Sequence, residues 1–277
     1  MKKFIILLYI IGITISVNAQ NQTLKDYVQY INNYSSTPVE YIFKLFEQSD
    51  IVVIGERAHR DTTQYELILD ILKNPRFAKE IGYVYTEVGC INRTSDVNKL
   101  IKGNFKTDED FMNHLLSYLR TGEVFYPLWE KYNRAQFLKG IYEINRNSRK
   151  KITLGLTDCE FSWSDIDSAE EYKNFHYSPA CEYLDSTMAD NFAHMYERQK
   201  PKKGKRKALI ITNQPHAINA TMTKRGYQRQ GKWLKDNYGS DKVRIVILNW
   251  EEYRLFDGKR MPLIAGGLWD AAFEEVK

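Results

Sequence analysis

Ile51-Val52-Val53-Ile54-Gly55 runs directly into Glu56-Arg57-Ala58-His59-Arg60. The first half is short, apolar and β-branched, with no polar residue on either face. A strand of that kind is covered on both sides, as in a parallel sheet flanked by helices. Working outward, similar runs occupy 83–86, 208–212 and 243–248, and a weaker one, broken by Gly155, occupies 152–156. Apolar residues three and four apart predict helices over 24–34, 39–48, 63–72, 108–119, 128–144 and 183–195. Strand and helix alternate, so the expected fold is α/β, a mainly parallel β-sheet with helices on both faces.

The composition agrees with a globular chain. Of 277 residues, 43% are hydrophobic and 13% aromatic, which excludes collagen-like and wholly disordered chains. Lys+Arg 40 against Asp+Glu 35 leaves +5, too mild for a dedicated nucleic-acid binder, so no nucleic-acid partner is expected. The basic run Lys200-Pro201-Lys202-Lys203-Gly204-Lys205-Arg206-Lys207 reads as a solvated loop.

At the start, Lys2 and Lys3 precede an apolar stretch from Phe4 to Val17, and Val17-Asn18-Ala19 has the small residues of a cleavage site. This is the layout of a secretory signal peptide over 1–19. It predicts an exported protein, periplasmic or secreted, whose residues 20–277 form a single domain. No later stretch has the length of a membrane span, so no stable membrane insertion is expected after cleavage. Cys90, Cys159 and Cys181 are odd in number and lack a Cys-x-x-Cys spacing. They fit one bridge with a spare thiol, and neither a zinc knuckle nor a thioredoxin-like centre.

In parallel α/β sheets ligands sit beyond the carboxyl ends of the strands. The residues delivered there are Glu56 and His59, then Glu87, Asp158, the segment Asn213-Gln214-Pro215-His216, and Asn249-Trp250-Glu251. Glu56, His59, Glu87 and His216 are the expected catalytic group; Arg60, Asp158, Asn213 and Gln214 are the expected substrate contacts. Carboxylates beside an imidazole fix its tautomer and raise its pKa. Such a His can take a proton from water attacking an ester or amide carbonyl, with no cofactor. His59, Glu87 and His216 also make a workable divalent-metal set, two imidazoles and a carboxylate. Spacing does not choose between these chemistries. His114, His176 and His194 lie in polar stretches and read as surface residues.

Several of these segments resemble one family. Gly55-Glu56-Arg57-Ala58-His59 is similar to the Gly-Glu-x-x-His signature of the erythromycin esterase-like proteins, part of a wider group with ChaN-like haem-binding and TraB/Tiki-type proteins. Tyr83 to Gly89, Gly155-Leu156-Thr157-Asp158, Met188-Ala189-Asp190-Asn191 and Ala208 to His216 resemble further motifs of that family, in its order. The resemblance implies a hydrolase for small-molecule esters without a Ser nucleophile, in which His59 is general base on water, supported by Glu56 and Glu87. It also implies an alternative, haem or metal binding without turnover in the ChaN manner. Two departures stand out. Asn213 occupies the place of the first of two family His residues, and residues 61–70 hold no match for a family Arg. An ester oxyanion then needs another donor, from His216, Asn213 or Gln214.

Overall fold

A computed structural model describes residues 24–34, 36–122, 124–126, 131–221, 226–248 and 263–276. The expected signal peptide, Leu128 and Asn249-Trp250-Glu251 lie outside the described residues. The chain divides into two compact units, 38–248 and a smaller one drawn from 1–37 and 249–277.

The larger unit is built on five strands: β1 (Ile51–Glu56), β2 (Tyr83–Cys90), β3 (Thr153–Asp158), β4 (Ala208–Asn213) and β5 (Val243–Ile247). Their order is β3-β2-β4-β1-β5, and every pairing is parallel. All five strands expected from the apolar runs are present, as is the parallel arrangement. The order places β1, β4 and β2 at the centre. Glu56 and Asn213 are paired in register at their shared carboxyl end.

Alternation along β1 shows why the sheet is covered twice. Val52 and Ile54 enter one apolar cluster with Ile42, Phe46, Ile68, Leu72 and Phe137; Ile51 and Val53 enter another with Tyr85, Phe192 and Leu234. The first face is covered by α1 (Pro38–Gln48), α2 (Thr62–Lys73), α3 (Thr94–Lys102), α4 (Asp108–Arg120) and α5 (Tyr132–Arg146). A second set follows β3: α6 (Ala169–His176), α7 (Leu184–Arg198) and α8 (Gln230–Tyr238). Of these, α7 and α8 cover the opposite face. A buried β-branched strand removes apolar area from water on both sides, at about 25 cal/mol per Å², which favours the two-sided cover.

Where the structure departs from the sequence reading, local rules explain it. The strand expected over 83–86 extends to Cys90, through a register shift against β3. Gly89 sits in that irregularity at φ +122°, a conformation L side chains rarely adopt. Helices α3, α6 and α8 show no clear period in the sequence because they run only eight or nine residues. α6 carries its own start signal, a capping box between Ser168 and Glu171.

In the smaller unit, residues 24–33 are helical and α9 spans Leu268–Glu275. The Trp269 ring meets Tyr27 edge-on at 5.4 Å and Tyr30 at 5.8 Å. No described helix is long and apolar enough to cross a membrane.

Candidate functional site

The loop after β1 is tied down by amide side chains before it presents anything. Gln64 accepts from the Arg57 N–H at 2.7 Å and donates to the Ala58 carbonyl at 2.7 Å. Asn213 donates from Nδ2 to the Arg57 carbonyl at 2.7 Å, and Asn133 donates to the His59 carbonyl at 3.0 Å. These bonds satisfy backbone groups that a tight strand-to-helix turn leaves open. They hold His59 three residues beyond Glu56, with Nδ1 2.5 Å from Glu56 Oε1.

His216 arrives on a helical turn, Gln214–Ala217, that follows β4. Two glycines make room for that turn. A Cβ on Gly55 would lie 2.9 Å from the Ala217 Cβ and 2.7 Å from Ile247 Cδ1; one on Gly231 would lie 1.8 Å from the Ala217 carbonyl oxygen. The His216 Nδ1 is then 2.9 Å from Asp185 Oδ1, in the first turn of α7. Asp185 is fully engaged: it also accepts from the Gln230 N–H at 2.9 Å and from Arg229 Nη1 at 2.9 Å.

Between the two imidazoles lies Glu87. Its Oε1 is 3.9 Å from His59 Nε2 and 3.6 Å from His216 Nε2. Its Oε2 accepts from the Asn213 N–H at 2.5 Å and the Thr212 hydroxyl at 3.0 Å. The structure therefore brings Glu56, His59, Glu87 and His216 together, each imidazole anchored by one carboxylate at Nδ1 and facing a shared third at Nε2. Glu56 and Glu87 are buried, while both imidazoles keep 19% exposure, enough for solvent or a ligand to reach them.

Electrostatics follow from this geometry. Burial by itself lowers the His59 pKa, but the hydrogen bond and charge of Glu56 and the charge of Glu87 outweigh it, raising the value to about 9. His216 is also raised: burial opposes, and the charge of Glu87 and the bond to Asp185 prevail. Asp185 moves down, since its partners outweigh burial. His59 is thus held mainly as a cation at neutral pH, and His216 is shifted in the same direction.

Of the remaining expected contacts, Asn213 touches the group directly, through its N–H to Glu87. Asp158 is wholly buried at the end of β3, accepts from the Cys159 N–H at 2.7 Å, and is pushed well above the usual carboxylate range by burial, with the Glu87 charge acting in the same direction. Asn191, from the Met-Ala-x-Asn segment, donates to the Thr157 and Asp158 carbonyls at 3.0 and 3.1 Å. Asn213 spends its amide on the Arg57 loop and offers its N–H to Glu87. Gln214 is half-buried on the turn before His216, and Arg60 is exposed. His114, His176 and His194 are exposed, as expected. Among the described residues no three His, Cys, Asp or Glu side chains are arranged to hold a metal ion.

Sequence reasoning missed Asp185, Arg134 and Tyr65. Tyr65, from α2, is buried beside Glu56 and the Arg134 guanidinium, both of which act on its hydroxyl. Arg134, from α5, is itself buried, and its guanidinium reaches the neighbourhood of Gly89. All three sit on helices, whereas the expected site residues all follow the apolar runs of strands. A buried acid in the first turn of a helix and a cation inside an apolar helical stripe were the available signals.

No family model matches the chain, and no curated relative matches it. Among solved structures, the crystal structure of a Bacillus cereus protein is similar over 92% of this chain and 84% of its own, with a TM-score of 0.55 and 12% identity. ChaN of Campylobacter jejuni, described with cofacially bound haem, is similar over 79% of this chain and 88% of its own, with a TM-score of 0.48 and 15% identity. The Bacillus cereus likeness shows a shared fold.

Proposed function

We propose that the chain is an exported hydrolase of the erythromycin esterase-like kind, cleaving a small-molecule ester with water. One observation carries the reading: two imidazoles, each anchored at Nδ1 by its own carboxylate, present Nε2 to the same Glu87 oxygen at 3.9 and 3.6 Å. Anchoring one ring nitrogen fixes what the other does, which is how a His is prepared for proton transfer.

The two rings then take different parts. His59, once neutral, accepts a proton at Nε2 from water as the water oxygen bonds to the acyl carbon. Glu56 stabilises the resulting imidazolium. His216, whose protonated form the charges of Glu87 and Asp185 favour, faces the developing oxyanion and donates a proton to the departing alkoxide as the C–O bond breaks. The cost of this arrangement is a small active fraction: with a pKa of about 9, about 1% of His59 is neutral at pH 7. Turnover therefore rises with pH as His59 becomes neutral and falls again where His216 loses the proton it must donate. The test is a panel of p-nitrophenyl esters. His59→Ala should lose at least about 100-fold in kcat/KM with an unchanged circular dichroism spectrum. A wild type inert toward all the esters between pH 7 and 10 would overturn the proposal.

The protonation state also favours a second reading, ligand binding without turnover. The protonated His59, with His216 shifted the same way, attracts a ligand bearing carboxylates or another anion without any proton having to leave. For haem the fit is partial. An axial ligand needs an imidazole lone pair, so iron at His59 would have to displace the proton that Glu56 and Glu87 favour. Haemin addition distinguishes the readings: a Soret shift at stoichiometric haemin, with no ester turnover, supports binding.

A further inference from the structure

Cys159 and Cys181 lie outside the imidazole–carboxylate group, and their sulfurs are 3.4 Å apart. Cys159 directly follows Asp158 at the end of β3 and is wholly buried in an aromatic cluster with Phe125 and Phe161. Cys181 is half-buried on the helical turn Pro179–Glu182, just ahead of α7. Cys181 lies 22 positions after Cys159, with α6 between them, so the pair closes a loop between a strand end and the helix that supplies Asp185. A disulfide needs its sulfurs about 2.05 Å apart. The gap of about 1.4 Å is within reach of side-chain rotation at Cys181, whose environment is only half filled.

We propose that Cys159 and Cys181 form a disulfide under oxidising conditions, a covalent clasp between the end of β3 and the start of α7. The reaction uses a disulfide co-reactant, either a small oxidised thiol or a disulfide-bearing oxidoreductase. The accessible Cys181 thiolate attacks one sulfur of the co-reactant, forming a mixed disulfide and releasing a thiolate. The Cys159 sulfur then attacks Cys181 Sγ, losing its proton to solvent and releasing the second thiolate. Two protein thiols are oxidised by two electrons and one external disulfide is reduced to two thiols. The order follows from access: Cys181 meets the oxidant and the buried Cys159 resolves it. Lowering of the Cys181 pKa by its contacts with Cys159 and Ser178, against the burial that opposes it, points the same way.

The clasp concerns the site's support rather than its chemistry. The Cys159 N–H bonds to the Asp158 carboxyl, and Asn191 on α7 holds the carbonyls of Thr157 and Asp158. A bond at 159–181 adds a covalent tie to that hydrogen-bonded junction. The inference is independent of the hydrolase reading, because it predicts a linkage and not a rate.

The experiment incubates the full chain with oxidised glutathione at pH 8, denatures it, and alkylates the remaining thiols with iodoacetamide. Mass spectrometry should show one alkylated thiol and a cross-linked pair of peptides holding Cys159 and Cys181, against three alkylated thiols in the reduced control. Cys90→Ser should keep the link and Cys181→Ser should lose it. Three alkylated thiols after oxidation, or a link through Cys90, would overturn the proposal. The wild-type peptide map decides the matter even if a variant fails to fold.

Discussion

Asp185 Oδ1 and His216 Nδ1 lie 2.9 Å apart, joining the first turn of a helix to a strand-end turn 31 residues later. This contact is what makes His216 part of a group rather than an isolated ring. The same carboxylate holds Arg229 and the Gln230 N–H, so it ties α7, α8 and the His216 turn at one point.

Removing that point is costly. Asp185→Ala leaves a half-buried imidazole and the Arg229 guanidinium without their buried acceptor, and breaking such a pair costs about 3 kcal/mol or more. Urea denaturation should show the midpoint falling with an unchanged slope. Asp185→Asn, which keeps an acceptor for the Gln230 N–H, should lose less. A loss under about 1 kcal/mol in the Ala variant would class the pair with surface ion pairs.

The His59–Glu56 pair predicts a pH dependence of stability. The His59 value rises from 6.5 to about 9 on folding. Its contribution is therefore fully present below pH 6.5 and is lost as pH climbs through 9. A shift of that size corresponds to a contribution on the order of 3 kcal/mol. Unfolding free energies at pH 6 and pH 10 should differ more in the wild type than in His59→Gln. Equal differences in the two proteins would show that the ring gains nothing from its carboxylates.

Asp158 titrates the opposite way round from an ion-paired acid. Its folded-state pKa is raised by burial, so its protonated form is the one the fold accepts. The stability tied to that proton is complete below the unfolded value and declines as pH rises toward the folded one. Asp158→Asn imitates the neutral acid and removes the decline. The melting temperature of the variant should exceed that of the wild type by more at pH 8 than at pH 5. Parallel curves would remove the role of burial.

Gly231 and Gly55 differ in what a methyl group would meet. At Gly231 the obstacle is the Ala217 carbonyl oxygen, a backbone atom at 1.8 Å; at Gly55 it includes the movable end of Ile247 at 2.7 Å. Gly231→Ala should cost about 3 kcal/mol or more and displace the His216 turn, and Gly55→Ala about 1–2 kcal/mol. Thermal melts rank the two. Equal costs would mean that the contact at Ala217 yields freely.

The strands were legible because burial on both faces leaves a composition no other element needs. Val52 and Val53 point to opposite clusters, yet both are apolar. The site was legible in part by the same logic, since Glu56 and Asn213 end β1 and β4 and Glu87 lies three residues before the end of β2, near the edge where a parallel sheet collects its polar residues. Short helices were not legible: α3 and α8 offer too few turns for a period to emerge. Nor was the Gly89 irregularity, which lets β2 continue past Glu87 to Cys90.

By itself, then, the sequence determined a parallel sheet, its five strands and the four chemical groups at its carboxyl edge, because local apolar patterning and strand direction are enough for that. Tertiary structure alone decided which group faces which. Asp185, Tyr65 and Arg134 enter from helices whose rotation is set by packing, and hydrogen-bond partners 31 residues apart, as for Asp185 and His216, leave no periodic trace in a chain. The raised pKa values of His59 and His216 are properties of those distances, and distances exist only once the sheet has assembled.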